Sequence, residues 1–203
     1  KASENAILAA REKVFGIQSD VMQKSLDELI KANKWVKMPG AAYDIGSGSN
    51  GKTWVIGTNK EGRNFGIYRW DNKWTKINGS ATRIDVDPAG NGWVVTSEHR
   101  IFRHDGRNWL LVPGGATDIG VGANGKVWII GSNKEGSNYG IYRWDGKWTK
   151  ITGSAARIDV DPSGIPWVVT NENRIYKFNG KSWVQMPGAA KDVGIGGDGT
   201  VIV

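Results

Sequence analysis

Residues 109–147, WLLVPGGATDIGVGANGKVWIIGSNKEGSNYGIYRWDGK, repeat residues 35–73, WVKMPGAAYDIGSGSNGKTWVIGTNKEGRNFGIYRWDNK, at a shift of 74 positions with 26 of 39 identical. The segments that follow them, 74–108 and 148–182, match at 22 of 35 positions. Trp35, Trp74, Trp109, Trp148 and Trp183 open successive units at spacings of 39, 35, 39 and 35 residues, so each copy is itself two related units. Self-similarity at this period marks an array of supersecondary units stacked on one another. The units run 35–73, 74–108, 109–147, 148–182 and an incomplete 183–203, preceded by a different segment, 1–34.

Within a unit the apolar period is two. In the third, residues 116–122 read as a first strand, Asn124-Gly125 as a hairpin turn, 126–130 as a second strand, 140–144 as a third, Asp145-Gly146 as another turn and 148–151 as a fourth. Asn-Gly and Asp-Gly suit tight hairpins because both central residues need positive φ, so each unit should be a four-stranded antiparallel meander. Such units in series make an all-β propeller, here about four and a half blades. The β-branched content and turn spacing exclude helical repeats, and a sandwich would not require near-identical units.

One element outside the repeats is expected to be helical. Across 3–33, Leu8, Phe15, Met22 and Leu29 recur every seven residues and are flanked by further apolar residues, interrupted by Gly16. The stripe suits either packing on its own domain or self-association through those four residues.

Composition excludes several classes. There is no cysteine, hence no disulfide framework or thiolate metal site, and no run of eighteen apolar residues to form a membrane-spanning helix. The net charge of +7 is spread along the repeats without a basic block, which argues against a nucleic-acid partner. His99 and His104 are the only histidines and read as surface or turn residues, with no second pair to hold a metal. Asp85/Asp87 and Asp159/Asp161 have no general-acid partner in the sequence. No catalytic constellation emerges, and neither an enzyme nor a cofactor is expected.

The succession Trp, Pro-Gly-Ala, Asp-Ile-Gly-x-Gly, Asn-Gly-x-x-Trp and Gly-Ile-Tyr-Arg-x-Asp resembles the tectonin repeat across residues 35–203. The resemblance implies a β-propeller, commonly of six blades, that binds carbohydrate or lipopolysaccharide at cell surfaces.

The residues add a reading of ring closure. Without gaps, Asp44, Arg83, Asp118, Arg157 and Asp192 share one position of the first strand, and Gly46, Gly120 and Gly194 alternate with Asp85 and Asp159 two residues later. First strands line a propeller's channel, so Asp should face Arg from blade to blade, with glycine making room for the extra carboxylates. Strict alternation needs an even number, which predicts six blades, since five would set Asp44 beside Asp192. At this spacing about 50 further residues would complete the ring, unless a partner chain does so.

Binding residues are sought where odd and even blades differ. Trp70 and Trp144 occur only in odd blades, next to Arg69 and Arg143, and only odd blades carry the insert Asn-Lys-Glu-Gly-x-Asn at 59–64 and 133–138. An indole face stacks on the C–H face of a sugar, while Asn59, Glu61, Asn64, Asn133, Glu135 and Asn138 offer the hydrogen bonds that hydroxyls require. The expected function is a multivalent lectin for glycans or lipopolysaccharide, extracellular or at the cell surface. The alternative is an assembly protein in which the propeller is a rigid block and the helix, or an incomplete blade, makes a homo-oligomer.

Overall fold

The computed structural model describes residues 37–203. The expected helix, with Leu8, Phe15, Met22 and Leu29, lies outside the described residues. The chain divides after Gly40, and the unit Ala41–Val203 carries every described strand.

That unit is all-β and antiparallel. Blade 1 is the sheet β1 (Ala42–Ser47), β2 (Thr53–Glu61), β3 (Asn64–Trp70) and β4 (Trp74–Ala81), in that order. Blade 2 comprises β5 (Arg83–Val86), β6 (Gly92–Val95), β7 (Arg100–His104) and the start of β8 (Trp109–Val121). β8 then crosses without interruption from outermost strand of blade 2, where Trp109 faces His104, to innermost strand of blade 3, where Ala116 faces Gly131. Blade 3 continues with β9 (Val127–Glu135), β10 (Asn138–Trp144) and β11 (Trp148–Ala155). Blade 4 is β12 (Arg157–Val160), β13 (Pro166–Val169), β14 (Ile175–Phe178) and β15 (Trp183–Met186), and β16 (Gly194–Ile195) pairs with β17 (Val201–Ile202) beyond it.

The odd-blade inserts are not loops. Residues 59–61 and 64–65 are the arms of a long hairpin in which Glu61 faces Asn64 and Lys60 faces Phe65. Gly62, at φ 64°, supplies the left-handed turn residue, and Gly136 repeats it at φ 63°. β2 and β9 therefore run nine residues where β6 and β13 run four.

The core lies between blades. Trp54, Ile56 and Ile67 of blade 1 pack against Ile84, Val86 and Val94 of blade 2, and Trp128, Ile130 and Ile141 repeat this against Ile158, Val160 and Val168. The second-strand Trp54 and Trp128 are buried. The unit-opening tryptophans donate their indole N–H to the preceding blade: Trp109 to the carbonyl of Asn78 at 2.6 Å, Trp148 to Pro113 at 2.6 Å and Trp183 to Thr152 at 2.7 Å.

First strands meet around a channel through carboxylates. Asp44 accepts the Ile84 N–H at 2.8 Å and Asp118 the Ile158 N–H at 2.9 Å, while Asp85 and Asp159 accept those of Val121 and Ile195 at 2.5 Å each. The glycines make room for this approach: a Cβ on Gly46 would lie 2.6 Å from Asp85 Cα, and one on Gly120 3.0 Å from Asp159 Cα. Arg83 stands 3.7 Å from Asp118 and Arg157 3.9 Å from Asp192, so each arginine pairs forward with the next blade.

The channel of the described residues is lined by the first strands of four blades and by β16. A Cβ on Gly197 would lie 3.8 Å from Ser49 Cα, and the Asp44 carboxyl is raised chiefly by burial, with a smaller push from the charge of Asp192. Asp44 and Asp192 thus line the same channel, where burial favours the neutral carboxyl and softens the repulsion between them.

Candidate functional site

The residues singled out in the sequence fall in three places. At one end of β3, Trp70 stacks edgewise on Trp74 at 4.9 Å, and Arg69 pairs with Asp71 at 2.8 Å while lying 5.6 Å from the Trp54 ring. Trp144, Arg143, Asp145 and Trp128 repeat the arrangement. These arginines are already paired.

On the flank of the long hairpin, Asn59 donates to Glu61 at 3.0 Å and accepts from the Tyr68 hydroxyl at 2.9 Å, and Lys76 pairs with Glu61 at 3.0 Å. Asn133, Glu135, Tyr142 and Lys150 form the same closed network.

Asn64 and Asn138 go elsewhere. Standing at the other end of the seven-residue strand from Trp70 and Trp144, roughly 20 Å away at strand rise, they reach across to the next blade. Asn64 accepts the Ser97 N–H at 2.7 Å and donates to Glu98 at 3.4 Å. Asn138 accepts the Asn171 N–H at 2.8 Å and donates to Glu172 at 3.1 Å.

A pocket opens at this junction in both copies, about 290 Å³ between blades 1 and 2 and about 250 Å³ between blades 3 and 4. Its ten lining residues correspond one to one at a shift of 74, and nine are identical in type. The floor is apolar, Ile67 and Val94 in the first copy, and Trp109 forms a wall. The far rim is the β6–β7 turn, where His99 takes φ 63° and Thr96 Oγ1 accepts the Arg100 N–H at 3.3 Å. Asn173 holds the same left-handed position in blade 4, a conformation in which Asn and His are enriched.

Two charged side chains complete each pocket. The Ser97 hydroxyl, with help from Asn64, keeps the Glu98 carboxyl below its usual range; Ser137 and Asn138 hold Glu172 down to about 2. Hydrogen bonds to the ionised form are the cause, since both are exposed. Arg100 lies 4.9 Å over the Phe102 ring, and among the described residues neither Arg100 nor Arg174 has a carboxylate partner. Each pocket thus sets a fixed anion, an unpaired guanidinium and an indole around an apolar floor.

Glu98, Arg100 and their counterparts Glu172 and Arg174 escaped sequence reasoning because they stand in even-numbered units and not in the odd ones that carry the inserts, and Trp109 and Trp183 because a tryptophan opens every unit. The signal was present as Glu-x-Arg at 98–100 and 172–174. His104 also differs from expectation: it is buried, stacks on Trp109 at 4.9 Å and accepts the Gly106 N–H, and burial lowers its pKa. Asp87 and Asp161 cap the turns after β5 and β12 through Ala89 and Ser163 N–H groups at 2.9 Å.

Comparison with known proteins places these features in a family. The Tectonin domain matches residues 51–144 and 116–202. Among curated proteins there is no match. Similar solved structures include one described as YCF48 bound to D1 peptide, 17% identical with a TM-score of 0.44, the match covering 74% of this chain and 56% of that one. With the family match spanning 51–202, the chain belongs to the Tectonin domain family.

Proposed function

We propose that the chain is a non-enzymatic, multivalent carbohydrate-binding protein whose sugar sites are the interblade pockets formed where an odd blade meets the next even one. The observation that carries this reading is the recurrence of one pocket 74 residues apart with nine of ten lining residues kept. An indole wall, an acceptor carboxylate and a free guanidinium are the chemistry a pyranose ring needs: an apolar face to stack on and planar partners for its hydroxyls. Each site alone would bind weakly, and two or more on a rigid ring gain avidity on a repeating surface glycan. Extracellular or cell-surface glycans, lipopolysaccharide among them, are the proposed partners. A six-bladed ring, which the charge alternation calls for, would carry three such pockets; the five first strands around the channel would carry two.

The test is a glycan and lipopolysaccharide array read at two salt concentrations. Binding that persists at high salt is expected for stacking and hydrogen bonding, whereas loss at high salt would assign it to diffuse surface charge.

A further inference from the structure

We propose that the aromatic position occupied by Phe102 in one pocket and Tyr176 in the other sets their selectivity, so that the first favours a sugar bearing an apolar substituent where the second favours a hydroxyl. This rests on the proposal above that both pockets hold sugars. Among the ten corresponding residues this is the single difference.

The two rings hold equivalent places in their sheets. Phe102 lies between Val94 and Leu111, and Tyr176 between Val168 and Gln185, so the strands present the side chains at one register. What changes is a phenolic oxygen. Its counterparts on odd blades, Tyr68 and Tyr142, spend their hydroxyls on Asn59 and Asn133. The Tyr176 hydroxyl has no partner among the described residues and is available to a ligand. A second difference follows from the ring: Arg100 stacks over Phe102, and no such contact joins Arg174 to Tyr176 among the described residues.

The selectivity follows from the cost of unpaired polar groups. In the Tyr176 pocket a ligand hydroxyl satisfies the phenol, and an analogue lacking it leaves that oxygen without a partner. In the Phe102 pocket the ring edge offers nothing to a ligand hydroxyl, which loses water without compensation, whereas a methyl group is favoured there.

The experiment isolates each pocket. Arg174→Ala leaves the Phe102 pocket intact and Arg100→Ala leaves the Tyr176 pocket. Each protein is titrated against an array of matched monosaccharide pairs that differ by one hydroxyl, such as galactose with 6-deoxygalactose and glucose with 6-deoxyglucose. For the pair that binds, the deoxy-to-hydroxy affinity ratio is expected to differ about tenfold between the two proteins, the worth of one hydrogen bond. Phe102→Tyr in the first background and Tyr176→Phe in the second should exchange the ratios. Equal ratios, or ratios indifferent to the exchange, overturn the proposal while leaving sugar binding standing. A protein carrying both arginine substitutions that still binds, or a folded wild-type protein that binds no sugar, overturns the underlying reading instead.

Discussion

The carboxylate of Asp85, on the first strand of blade 2, accepts the backbone N–H of Val121 on the first strand of blade 3, at a distance of 2.5 Å. Asp159 and Ile195 repeat the bond one pair of blades later, and Asp44 and Asp118 make its odd-blade version. Neighbouring blades are therefore fastened at the channel by side chain to backbone and at the rim by indole to backbone.

Asp85→Ala removes both acceptor oxygens and strands the N–H groups of Val121 and Val86, each of which should cost about 1–3 kcal/mol. Asp85→Asn keeps one acceptor where the carboxyl uses both, Oδ1 for the Val86 N–H at 2.7 Å and Oδ2 for that of Val121, so it should cost less than alanine without being neutral. Urea unfolding at pH 7 checks both. Equal losses in the two variants would mean that the oxygen retained by asparagine does nothing for the site.

The channel carboxyls also set a pH dependence. Burial is the first cause in each: it lifts Asp44 from 3.8 to about 6, Asp159 to about 7 and Asp118 to about 8, with Asp44's repulsion outweighing Arg83's pull on Asp118. A folded-state pKa above the unfolded value means that the native protein holds the extra proton. That contribution to stability is complete below about pH 4 and is lost as pH rises to about 8. Thermal melts should therefore show a higher Tm at pH 5 than at pH 8.5. Asp118→Asn should flatten the upper part of the curve; a Tm rising with pH over this window would contradict the account.

Arg83→Asp should destabilise the ring, because it places a third acidic group near Asp44 and Asp118. The forward pairing, Arg83 to Asp118 at 3.7 Å, identifies the rescuing partner. Asp118→Arg in the same chain should restore part of the loss, read as a double-mutant cycle in urea. No coupling between the two substitutions would remove the pair from the account.

Much of this was legible in the residues themselves. The repeat gave the blades, the Asn-Gly turns gave the hairpins, and the recurring tryptophans marked where each unit begins. The alternation at 44, 83, 118, 157 and 192 correctly pointed to channel residues, because side chains on first strands face inward whatever the ring size. Its use as a blade counter assumed ionised carboxylates, and burial weakens that assumption for Asp44. The site was less legible. Asn64 and Asn138 belong to the pocket margin, yet Trp70 and Arg69 share a strand with Asn64 and sit at its far end. Sequence proximity within one blade does not show which groups meet across the gap between blades. Glu98 meets Asn64, and Arg100 joins them around the pocket, only because consecutive sheets lie face to face, and no local pattern records that meeting.

The central claim is that the interblade pockets, and not the Trp70 and Trp144 faces, hold the ligand. The measurement is glycan-array binding by three folded proteins side by side: the wild type, Arg100→Ala with Arg174→Ala, and Trp70→Ala with Trp144→Ala. The account predicts that the arginine pair abolishes binding and that the tryptophan pair leaves it within about twofold, since those indoles touch neither pocket. Binding retained by the arginine variant and lost in the tryptophan variant would contradict it and return the site to the ends of β3 and β10.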